Sequence, residues 1–169
     1  TLFQTGLSIM PTALFLDIIP SSPDDGMYPT EIAWSLEDGQ LKSVLILPDD
    51  DWEPWDNASY ETDVQHLFDH GETPADIVSE LNDDLSGHTV FIDGLDDDTK
   101  LLELLFESCN QEPDFELAPV TELFLDDKLE TILRLRNEVA ATRGLDLHQC
   151  ADTVKSLIFV ASERSKKEL

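Results

Sequence analysis

The sequence predicts an α/β fold in which a mixed sheet is flanked by helices. Three observations carry this. Short apolar runs at 12–18, 30–36, 40–47 and 89–92 are bounded by turn residues, as strands are. Longer stretches at 73–86, 97–108, 126–143 and 148–165 space their apolar residues three and four apart, as amphipathic helices do. Three strands come first, and helices and strands then alternate, which suits a hairpin joined to crossover strands.

Taken in order, Thr12–Ile18 reads as the first strand, with Asp17-Ile-Ile19 running into a break at Pro20-Ser-Ser-Pro23. Thr30–Leu36 and Gln40–Leu47 form a hairpin through Glu37-Asp38-Gly39. Residues 48–72 are a polar connection carrying Trp52, Trp55 and Tyr60, with a short helix around 60–69. Packing over the sheet is the expected role of those rings. Thr73 as N-cap and Pro74 at the first helical position open the next helix, and Gly87 ends it. Thr89–Ile92 is a short strand ending at Asp93-Gly94, and a Leu-rich helix runs from about Asp97 to Ser108. Phe115–Val120 reads as an edge strand, and the helices at 126–143 and 148–165 finish the chain, the first stopped by Gly144. One domain is expected over 12–165. Residues 1–11 read as an N-terminal leader with Met10 as a natural start, and 166–169 as a tail.

The charge is extreme. Against 37 Asp and Glu stand 10 Lys and Arg, a formal net charge of −27, yet hydrophobic content of 41% supports a packed core. Such a field repels nucleic acid and anionic membranes at long range. Salt adaptation, mimicry of DNA toward basic proteins, and calcium storage are the readings of such acidity. The last is weakened because Asp49-Asp50-Asp51 and Asp96-Asp97-Asp98 lack the glycine and terminal Glu of an EF-hand loop. Cys109 and Cys150 are too few for a disulfide framework and read as buried free thiols. No apolar run reaches the ~18 residues of a membrane span. A cytoplasmic protein is expected.

Four acids fall where a site could assemble. Asp17, Asp93 and Asp98 lie at predicted strand ends or helix starts, where open α/β sheets bind ligands, and Asp152 lies on the last helix. An Asp closing a hydrophobic strand is costly to bury without a partner such as a metal. Carboxylates holding two divalent ions are the usual apparatus for phosphodiester hydrolysis, with a His nearby as general base.

In this order the motifs resemble the DnaQ-like exonucleases, the RNase T and polymerase-proofreading group with an RNase H-like fold. The first motif is matched by Phe15-Leu-Asp17-Ile-Ile19 followed by Glu31-Ile-Ala-Trp34. His66-Leu67 or His70-Gly71-Glu72-Thr73 matches the middle His-Gly segment. The second motif is matched by Val90-Phe-Ile-Asp93-Gly-Leu-Asp96-Asp97-Asp98 before Leu101-Leu102, and the third by Gly144-Leu-Asp-Leu-His148-Gln-Cys-Ala-Asp152. The resemblance covers about residues 12–160. It implies a 3'–5' exonuclease acting on nucleic-acid 3' ends with Mg2+ or Mn2+. Asp17, Asp98 and Asp152 would hold metal, and His148 would orient or deprotonate water.

Two departures stand against activity. Ile19 occupies the place of the motif Glu, and an apolar side chain cannot ligate. Three residues rather than four separate His148 from Asp152, a displacement of about 100° on a helix. The alternative is therefore a catalytically inactive exonuclease fold, an acidic interaction module for a basic protein partner.

Overall fold

The computed structural model describes residues 13–22, 26–55, 63–94 and 97–167. The expected leader (1–11), Thr12, Tyr60 and Asp96 lie outside the described residues. The elements are β1 (Leu14–Pro20), β2 (Pro29–Ser35), β3 (Leu41–Leu45), α1 (Val64–His70), α2 (Pro74–Leu85), β4 (Thr89–Ile92), α3 (Asp98–Glu107), β5 (Glu116–Pro119), α4 (Leu129–Arg143) and α5 (Cys150–Lys167). Every expected element is present, with ends displaced by no more than four residues. The last helix runs on to Lys167, into the stretch expected to be a tail.

The five strands are ordered β3-β2-β1-β4-β5. β1, β2 and β3 pair antiparallel as the hairpin signals require, whereas β4 pairs parallel with both β1 and β5. The mixed sheet follows from chain order, because parallel neighbours need helical crossovers and only the later strands have them.

Strand alternation divides the core in two. Leu14, Leu16 and Ile18 enter a cluster with Ile32, Trp34, Leu81, Val90, Leu101 and Leu105, under α2 and α3. Phe15, Ala33 and Ile19 face the other way, against Ile132, Val154, Leu157 and Val160 of α4 and α5. Trp52 is buried and stacks on Tyr28, and the Trp55 indole donates to the Asp49 carbonyl, so the connecting loop packs down on the sheet as expected.

The caps explain the helix limits. The Thr73 hydroxyl accepts from Asp76 N, with Pro74 in the first turn. Gly144 ends α4 at φ 67°, a left-handed conformation that costs glycine nothing. Gly71, which closes α1, is demanded by space instead. A Cβ there would stand 2.5 Å from both Leu47 N and Leu67 O.

Candidate functional site

The site is built around one thiol. Cys150 opens α5 on the helix face turned to the sheet, and it is fully buried. Its Sγ donates to the Glu31 carbonyl at 3.4 Å and lies within hydrogen-bonding reach of the Asp17 carboxylate, to which the one thiol hydrogen can turn instead. Asp17 lies mid-β1 opposite Ala33, half-buried, on the same face as Phe15 and Ile19. Asp98 is the first residue of α3, where negative charge complements the helix dipole, and it is buried. It comes close enough for its charge to act on Cys150.

Glu31 joins this group from β2. In the antiparallel register it stands directly opposite Ile19. Its carboxylate accepts from the Ser43 hydroxyl at 3.4 Å and from the backbone N–H of Cys150. Partial burial raises its pKa above the ordinary value, and those two hydrogen bonds work against the rise. Glu31 thus receives the first turn of α5 as a capping carboxylate does.

The thiol responds to these neighbours. Burial, then the charges of Asp17 and Glu31, the hydrogen bond to Asp17 and the charge of Asp98 push the Cys150 pKa well above the ordinary thiol range. Cys150 is therefore a neutral donor at physiological pH. Only a thiolate is a nucleophile or a good metal ligand.

The remaining expected residues are placed elsewhere. Asp152 Oδ2 accepts from Asp146 N at 2.9 Å, and its Oδ1 stands 3.6 Å from Lys155 Nζ. His148 is exposed, and its backbone N–H donates to Asp146 Oδ1 at 3.0 Å. Four intervening residues counted from His148 end on Thr153, not on Asp152. Thr153 is buried, and its hydroxyl donates to the Leu147 carbonyl at 3.2 Å. Asp17 and Asp98 both act on Cys150, whereas the described interactions of Asp152 and His148 are with Asp146 before α5 and with Lys155 in its first turns.

Asp93 has a structural partner. Arg136 Nη1 of α4 donates to Asp93 Oδ2 at 2.9 Å, and both side chains are largely buried. The pair ties the end of β4 to the C-terminal helices.

The donor set does not fit a two-ion Mg2+ or Mn2+ centre. Hard cations of this kind take carboxylate, carbonyl and water oxygens. Here Ile19 packs with the apolar residues of the second core, and a protonated thiol faces Asp17. Among the described residues no three His, Cys, Asp or Glu side chains are grouped to hold an ion.

Sequence reasoning places Glu31 in the first motif and expects Cys150 as a buried free thiol, which it is, but joins neither to the site. The signal for Glu31 was its hairpin register opposite Ile19. For Cys150 it was helical phase, since residues 150, 153, 154 and 157 form one buried stripe.

No protein-family model matches the chain, and no curated protein matches it. Solved structures do. E. coli Exonuclease I in complex with a dT13 oligonucleotide superposes with a TM-score of 0.63 at 14% identity, over 90% of this chain and 40% of that one. The same enzyme with a dA16 oligonucleotide gives 0.53 at 15% identity, over 68% of this chain and 29% of that one. The chain thus spans less than half the length of these Exonuclease I chains. Among the described residues no helix is long and apolar enough to cross a membrane. The strand order, the mixed pairing and the flanking helices together are the RNase H-like fold of the DnaQ-like exonucleases.

Proposed function

We propose that this chain is a non-hydrolytic form of the exonuclease fold, acting as an acidic module that binds a basic protein partner. One observation carries the reading. The buried Cys150 thiol, hydrogen-bonded to Asp17 and within reach of the Asp98 charge, stands where hydrolysis would require cation-binding oxygens. Ile19 removes a further carboxylate on the same face. The net charge of −27 supports a cationic protein surface over a phosphate backbone as the partner.

The test pairs an activity assay with a binding assay. End-labelled single-stranded DNA and RNA are incubated with Mg2+ or Mn2+ and with wild type, Ile19→Glu, Cys150→Asp and the double variant. Wild type is expected to leave the label intact, and the double variant to trim 3' ends. Robust trimming by wild type would sink the proposal. Polylysine should be bound in a salt-labile manner, and an oligonucleotide should not.

A second reading rests on the convergence of Asp17 and Asp98. In it the chain keeps weak 3'–5' exonuclease activity with Mg2+ or Mn2+. Asp17, Asp98 and Asp152 would then hold the ion, and His148 would orient or deprotonate water, which would need the start of α5 to rearrange. Weak wild-type trimming lost in both Asp17→Ala and Asp152→Ala would establish it.

A further inference from the structure

Two of the four histidines of the chain lie on the seven-residue helix α1, far in sequence from the cysteine-centred site. His66 and His70 are four residues apart, so they share one helix face about one turn from each other. Both are exposed. Their rings lie in contact, with centroids 4.6 Å apart and planes inclined by 54°.

That separation matches a chelate. A transition ion sits about 2.0–2.1 Å from an imidazole nitrogen, hence about 3.2 Å from the ring centroid. Two ligands subtending about 90–110° at the ion then place their centroids roughly 4.5–5.2 Å apart. The observed distance falls in this interval without movement of the helix.

The surroundings favour a cation. Asp63 caps the helix through Oδ1, accepting from Gln65 N and His66 N, and Asp69 lies between the two histidines in sequence. Among the described residues neither imidazole is engaged in an ion pair, whereas His88 bonds Glu37 at 2.9 Å. The strongly negative field of the chain raises the local concentration of divalent ions.

We propose that His66 and His70 form a bidentate surface site for a borderline transition-metal ion of the zinc or nickel class, completed by water. Imidazole nitrogen selects such ions over Mg2+, which prefers oxygen. The chelate would clip together the single stretch of α1 that carries buried Leu67 and sets Phe68 against Trp55. A helix this short is marginal by itself. The bound ion therefore rigidifies the cover over this side of the sheet.

The experiment is calorimetric titration of the full chain with zinc chloride, and separately nickel chloride, in a non-coordinating buffer. Wild type, His66→Gln, His70→Gln and His88→Gln are compared. One equivalent is expected to bind wild type and His88→Gln alike, with affinity weakened by about tenfold or more in each of the other two. Excess Mg2+ should not displace it. Imidazole NMR signals of wild type read the same site without any variant, and only His66 and His70 should move on adding zinc. Uptake unchanged in His66→Gln and His70→Gln, movement of His88 or His148 signals instead, or no uptake at submillimolar metal would each overturn the assignment.

Discussion

Strand β1 sends Leu14, Leu16 and Ile18 into one core and Phe15, Asp17 and Ile19 toward the other, and the two sides differ in kind. Under α2 and α3 the clustered residues are apolar, and polar bonds such as Trp34 Nε1 to Asp84 lie toward the rim. Under α4 and α5 the apolar packing surrounds a polar knot of Asp17, Glu31, Asp98 and Cys150. The first side can be understood by area and shape alone. The second is decided by where protons sit, because three carboxylates near one thiol are tolerable only while that thiol keeps its hydrogen.

The largest expected effect tests the apolar side. Leu16 is fully buried, so Leu16→Ala should lower stability by about 2–5 kcal/mol in urea unfolding. A loss under about 1 kcal/mol would mean that this core is loose.

Cys150→Asp tests the polar side, since it adds a buried carboxylate to a cluster that has three. Stability in EDTA should fall by about 2 kcal/mol. Mn2+ should recover part of that loss while leaving wild type unaffected. A variant as stable as wild type in EDTA would show that the knot is better hydrated than its burial implies.

The smallest effect is a pH dependence. The Glu31 pKa is raised in the folded state, so between its unfolded and folded values the native chain holds more protons than the unfolded one. Stability therefore falls as pH climbs through that window, and the deficit persists at neutral pH. Glu31→Gln should remove this fall, so that its Tm gains on wild type as pH rises from the acid range to neutrality. The same sign holds for Cys150 in the alkaline range, where wild type should lose stability as pH rises beyond the ordinary thiol value. An unchanged curve in Glu31→Gln would mean that its bonds to Ser43 and Cys150 fully offset its burial.

The elements were legible because their signals are local. Thr73-Pro74 marks a helix start and Glu37-Asp38-Gly39 a hairpin, whatever surrounds them. The site was only half legible. Asp17 and Asp98 stand at element ends and could be picked out by position. Choosing among Cys150, Asp152 and Thr153 required the rotational phase of α5, which depends on how the loop at 145–149 folds. That loop is organised by Asp146, whose carboxylate accepts from His148 N and whose own N–H donates to Asp152. A hairpin register that places Glu31 opposite Ile19, with an irregularity at Ile19 and Pro20, is likewise set by pairing and not by composition.

The outer strands carry a further consequence. β3 lies at one border of the sheet, and beyond it Glu72 forms a lone parallel bridge with Ile46. Leu47 N donates to Glu72 O and Glu72 N to Leu45 O, each at 2.9 Å, so backbone groups open to a second strand are already occupied there. At the opposite border β5 has four residues and ends in Pro119, which offers no N–H. Short, blocked borders of this kind discourage sheet-to-sheet addition between copies. A chain crowded with buried apolar strands is thereby protected from templated aggregation at both ends of its sheet.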